Sequence, residues 1–132
     1  MQSGVAKLLK DAYPDCFKNY EIDLLRGYGL GNVSWTYLYS SPESISRDLV
    51  IASCITQEFY GRDPDVRYVS YDAVSDAFDV VFEQAKADNW VVNLPKIGAG
   101  LGNGDWFIIE RLIIESARKY NFDQKNIIVW EL

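Results

Sequence analysis

The sequence contains no histidine, which removes the side chain that most often serves as acid, base or metal ligand near neutral pH. Only two cysteines are present, Cys16 and Cys54. Neither has partners at metal-ligand spacing and both lie among apolar residues, so they read as buried free thiols rather than a disulfide. Basic residues are sparse: 13 Lys and Arg stand against 19 Asp and Glu, for a net charge of −6, and no basic run exceeds two residues. A broad nucleic-acid footprint or a membrane-surface patch is therefore not expected, and any bound phosphate must be held locally. Long apolar runs are missing too. Nothing approaches the roughly 18 residues of a membrane span, and no leader is evident, so the expectation is a cytoplasmic protein without a membrane partner.

What is present suits one domain over residues 1–132, since 48% hydrophobic and 14% aromatic residues can bury a real core but hardly two. Val5, Leu8, Leu9 and Ala12 recur at helical spacing and stop before Pro14, and a second helix is expected from about Asp15 to Leu25, ending at Gly27, Gly29 and Gly31. Val33, Trp35, Tyr37 and Tyr39 alternate with polar residues as in a half-buried strand, which puts the aromatics on one packed face. A loop over residues 40–47 separates it from the apolar run 49–55, a buried strand. Tyr71, Val74, Phe78, Val81, Phe82 and Ala85 mark an amphipathic helix with Phe78 and Phe82 in the core. Strand 91–94, a helix over 105–120 anchored by Trp106, and strand 127–131 complete the order ααββαβαβ. That order predicts a layered α/β domain with a mixed sheet.

The most informative stretch is residues 94–106, LPKIGAGLGNGDW, where four glycines alternate through seven positions between a strand and a helix. Glycine lets backbone amides approach an anion, and the following helix turns its positive end toward the same place, so the stretch reads as a phosphate-binding turn. Gly98, Gly100 and Gly102 give G-x-G-x-G, which is neither the dinucleotide fingerprint nor a Walker loop.

Together with IASCITQ at 51–57 and MQSGVAK at 1–7, this stretch resembles the macro domain, the ADP-ribose-binding module. The resemblance is nearest to the small branch that holds ADP-ribose 1″-phosphate phosphatases and the hydrolase that frees ADP-ribose from protein glutamate. It implies a three-layer α/β/α domain with a mixed, mostly parallel sheet. It also implies that Ile97, Gly98, Ala99, Gly100, Leu101 and Gly102 wrap the distal phosphate and ribose, that Ser3, Gly4 and Val5 form a second turn facing them across the diphosphate, and that Trp130 or Leu132 packs beside the adenine. A complete macro domain begins with two further strands, carrying an Asp for the adenine amino group and an Asn near the distal ribose. Against that pattern the sheet is expected to lack its first two strands, through truncation, a split domain or strand exchange; a homodimer follows if a partner replaces them.

Catalytic candidates are few. The glutamate-ADP-ribose hydrolase branch carries a Lys and an Asp where Gln57 and Gly102 stand here, which disfavours its lysine mechanism. Arg62 lies too far from Cys54 for a Cys-x5-Arg phosphatase loop. Asp105 is placed to orient water or protonate a leaving group, and equally to cap the last helix. Gln57 at the end of a buried strand reads either as a ligand for a ribose hydroxyl or water, or as an ordinary strand-terminal amide. No metal or cofactor is called for. The expected function is binding of an ADP-ribose-type nucleotide with hydrolysis of ADP-ribose 1″-phosphate to ADP-ribose and phosphate. The rivals are a non-catalytic module for free or protein-linked ADP-ribose, and a hydrolase removing ADP-ribose from protein or nucleic acid.

Overall fold

A proline and a glycine set the limits of the first two helices. Helix α1 (Gly4–Ala12) stops short of Pro14, which instead takes the first position of α2 (Pro14–Leu25), where its missing N–H interrupts no helical bond. α2 closes on Gly27 at φ +96°, the Gly27 amide donating to the Leu24 carbonyl and the Tyr28 amide to that of Asp23. These are the two bonds by which a left-handed glycine ends a helix. The computed structural model describes residues 4–39, 49–59, 61–100 and 102–131; the loop expected over 40–47 lies outside them. The chain divides into two compact units, Met1–Tyr28 with Val33–Ser53, and Gly29–Asn32 with Cys54–Leu132.

In the first unit, β1 (Val33–Leu38) pairs with β2 (Leu49–Cys54), and one face of β1 corrects the sequence reading. Ser34 and Thr36 are buried, while Tyr37 and Tyr39 are 41% and 52% exposed. The reason is hydrogen bonding from α2: the Ser34 hydroxyl donates to Asp23 Oδ2 at 2.7 Å, and Asn19 Nδ2 donates to Thr36 Oγ1 at 2.9 Å. Satisfied hydroxyls can be buried at little cost. The aromatics gain from each other instead, with Trp35 and Tyr37 stacked at 6.5 Å and 6° between planes. Cys16 is fully buried, its thiol 3.4 Å from the Ser53 hydroxyl.

The second unit holds the larger core. Helix α3 (Tyr71–Asp88) starts at Ser70, whose hydroxyl accepts from the Ala73 amide, and ends at Asn89 in the left-handed region. Its apolar face buries Val74, Ala77, Phe78, Val81, Phe82 and Ala85 against α4 (Trp106–Lys119), which buries Ile109, Ile113 and Ala117. Phe82 is fully enclosed and meets Phe122 at 5.1 Å between ring centroids. Asp79 on α3 ties the pair together at its edge, accepting from Ser116 and, at 2.9 Å, from Lys119. Strand β3 (Val92–Pro95) runs parallel to β4 (Ile127–Trp130), with Pro95 opposite Trp130. Among the described residues the four strands form two two-stranded sheets, a small α/β arrangement. None of the described helices is long and apolar enough to cross a membrane.

Candidate functional site

The glycine stretch leaves the carboxyl end of β3, the end of a parallel strand where α/β proteins place their ligands. Its folding can be followed bond by bond. Ile97 donates to the Pro95 carbonyl at 2.7 Å and Ala99 to that of Lys96 at 3.3 Å, turning the chain back after the strand. The Gly98 carbonyl then accepts from the Gly104 amide at 2.8 Å, and the Gly100 carbonyl from the Asn103 amide at 3.0 Å. The Gly102 carbonyl accepts from both Tyr68 and Val69, at 2.9 and 3.1 Å. All three glycine carbonyls are therefore used internally. The amides of Gly98, Gly100 and Gly102 have no acceptor among the described residues. Unpaired amides in a tight loop are the donors that bind anions.

Glycine is required at two of these positions for separate reasons. Gly98 sits at φ +76°, and a Cβ there would stand 2.8 Å from Val69 Cγ2. At Gly102 a Cβ would lie 2.7 Å from the Gly98 carbonyl oxygen. Gly100 differs, because a Cβ there meets nothing within 4 Å. The fold tolerates a side chain at Gly100; what the position offers is open approach to the amide.

Two polar side chains accompany the loop. Gln57 pairs with Val69 in an isolated antiparallel bridge, which brings its Oε1 to 3.3 Å from the Cβ position of Gly102 while its Nε2 donates to the Phe59 carbonyl at 3.1 Å. Asp105 is the N-cap of α4: Oδ1 accepts from the Phe107 amide at 2.9 Å, and its own amide donates to the Tyr71 hydroxyl at 3.0 Å. Its second carboxylate oxygen has no partner among the described residues. Of the cations nearby, Lys96 is bound to Glu131 at 2.7 Å, a contact that holds the Glu131 carboxyl below its usual range. Arg67 lies over the Tyr71 ring, 4.2 Å from its centroid.

The structure thus brings Gln57, Gly98, Gly100 and Gly102 together and leads from them into Asp105. Ile97 and Ala99 form the turn that presents the glycines. Trp130 ends β4 opposite Pro95, its indole Nε1 donating to Asn93 Oδ1 at 3.0 Å. Gly4 and Val5 open α1 in the first unit; Ser3, Leu101 and Leu132 lie outside the described residues. Sequence reasoning missed Tyr68, Val69, Tyr71 and Asn103, all of which shape the loop. Asn103 carried a signal, since asparagine is among the few residues other than glycine that adopt a left-handed backbone, and it does so here at φ +57°. A cavity of about 160 Å³ between α4 and β4, lined by Trp106, Glu110, Ile113 and Val129 among others, is smaller than most ligand pockets.

No family model matches the sequence, and no curated protein matches it. Solved structures do. A protein of unknown function from Bacteroides thetaiotaomicron superposes with a TM-score of 0.78 at 22% identity, over 98% of this chain and 78% of that one. The macrodomain of Mycobacterium tuberculosis DarG gives 0.73 at 18%, over 98% and 79%. That of Thermus aquaticus DarG gives 0.70 at 22%, over 99% and 80%. The chain has the macro-domain fold.

Proposed function

We propose that this chain binds ADP-ribose or a close derivative, with the diphosphate seated on the amides of Gly98, Gly100 and Gly102. The observation that carries the reading is the alternation within the loop, the carbonyls of Gly98, Gly100 and Gly102 engaged inward and the amides of the same three glycines without an acceptor among the described residues. Such a site holds phosphate without a cation, which reconciles nucleotide binding with a net charge of −6. The likeness in fold to macrodomains supports the same ligand class.

Turnover of ADP-ribose 1″-phosphate is the activity proposed for the site. One water attacks phosphorus, the bond from phosphorus to the ribose oxygen breaks, and the proton given up by the water is balanced by the one the departing ribose oxygen takes up, leaving ADP-ribose and inorganic phosphate. The uncapped oxygen of Asp105 is assigned to orient that water, with Gln57 holding a hydroxyl or the water from the other side. A second reading has its own observation: one Asp105 oxygen already caps α4, as expected of a non-catalytic module that binds free or protein-linked ADP-ribose unchanged. Incubation with ADP-ribose 1″-phosphate separates the two. Stoichiometric release of phosphate and ADP-ribose, lost in Asp105→Asn, supports the enzyme; intact ligand with saturable binding supports the module.

A further inference from the structure

The glycine loop does not hold its own shape. Segment 63–71, which leads into the first residue of α3 and has no chemistry assigned above, meets it at three points. The Asn103 side-chain amide donates to the carbonyls of Asp63 at 2.9 Å and Val66 at 2.6 Å. In the reverse direction, the Tyr68 and Val69 amides converge on the Gly102 carbonyl. Beyond the loop, the Tyr71 hydroxyl accepts from the Asp105 amide.

We infer that Asn103 is a positioning residue, whose side-chain bonds to Asp63 and Val66 clasp the loop against segment 63–71 and keep its glycine amides turned outward for a nucleotide phosphate. The geometry is reciprocal. Asn103 holds the segment in place, and the segment then holds the Gly102 carbonyl, which fixes the peptide between Gly102 and Asn103. That same peptide aims the Asn103 amide at the Gly100 carbonyl, 3.0 Å away. If the clasp opens, the 102–103 peptide is free to rotate, both carbonyls lose their donors, and they compete with the amides for the mouth of the site. A preformed array of donors binds more tightly than one that must be ordered by its ligand. For its ligand the inference rests on the function proposed above; for its geometry it does not.

The test uses Asn103→Gly, which keeps the left-handed backbone accessible and removes the side chain with its donors, with Asn103→Asp as a second variant that keeps the shape and turns a donor into an acceptor. In the free proteins, the Gly98, Gly100 and Gly102 amide resonances are expected to shift or broaden in both variants, while Gly27 and Gly29 in the α2–β1 connection stay fixed. ADP-ribose affinity falls about tenfold, equivalent to the loss of roughly 1.4 kcal/mol. Unmoved glycine resonances with affinity within about twofold of wild type would overturn the clasp. Should the variants fail to fold, the wild-type protein decides: the Asn103 side-chain amide protons must exchange with solvent more slowly than those of Asn121, and equal exchange refutes the clasp. If wild type does not bind ADP-ribose, the proposed function fails, while the resonances and side-chain exchange still judge the clasp.

Discussion

Replacing Gly100 by glutamate separates binding from folding in a way that Gly98 and Gly102 do not allow. A Cβ at Gly100 meets nothing within 4 Å and the backbone is not left-handed, so the folded chain has room for the new side chain and its melting temperature should move by no more than about 2 °C, as for an ordinary surface change. Binding should respond very differently. A carboxylate about 5 Å from a phosphate, at an effective permittivity of ~40, costs roughly 1.7 kcal/mol per pair of charges, or about 3 kcal/mol for both charges of a diphosphate. That corresponds to at least ~100-fold in affinity, before any obstruction of the amide is counted. Gly98→Ala is the contrasting control. Its left-handed backbone and the 2.8 Å approach to Val69 should cost about 2 kcal/mol of stability, some 8 °C of melting temperature at roughly 4 °C per kcal/mol. Calorimetric titration with ADP-ribose, paired with thermal melts, reads both effects. Near wild-type affinity in a folded Gly100→Glu protein refutes the placement of phosphate on the loop.

Three further expectations follow from individual side chains. Asp105→Ala should lose the α4 cap, about 1 kcal/mol, whereas Asp105→Asn keeps it and should reduce phosphate release far more than melting temperature; equal losses in both would return Asp105 to a purely structural role. Burial pushes the Cys54 thiol up from its ordinary 9.0 to about 12, so the folded chain keeps a proton that the unfolded chain loses. Stability from this group is thus complete below pH 9 and declines as pH rises from 9 through 12; urea melts should show a shallower decline in Cys54→Ala, and an unchanged slope would contradict the assignment. Phe82→Ala should cost about 3–5 kcal/mol, since Phe82 on α3 is fully enclosed and packs against the rings of Phe78 and Phe122, and a loss under 1 kcal/mol in denaturant titration would show that the α3–α4 core is looser than described.

The helices were legible because their signals are local. The periodicity of Tyr71 through Ala85 places α3, and the structure adds only a last turn to Asp88 and the Asn89 cap. The glycine loop was legible for the same reason, the end of its strand, its turn and the start of its helix all lying within thirteen consecutive residues. The inward face of β1 was not. Alternation identifies a strand but cannot say which face is buried when the polar residues find partners, and those partners, Asn19 and Asp23, stand on a different element. Segment 63–71 was opaque for a related reason. Its backbone is irregular, and it contacts the loop through bonds spanning 34 to 40 residues, which no periodicity records. The expected roles of Gln57 and Asp105 rested on their positions beside the loop. The structure supplies their present partners, a backbone carbonyl for Gln57 and the α4 cap for Asp105.

Titration of the glycine-labelled chain with ADP-ribose, followed through backbone amide resonances, addresses the central claim most directly. Saturable displacement of the Gly98, Gly100 and Gly102 signals, with Gly27 and Gly29 unmoved and AMP and ribose 5-phosphate producing weaker changes, is the predicted result. Saturation that leaves the three loop glycines in place, or no change in any resonance, would contradict it.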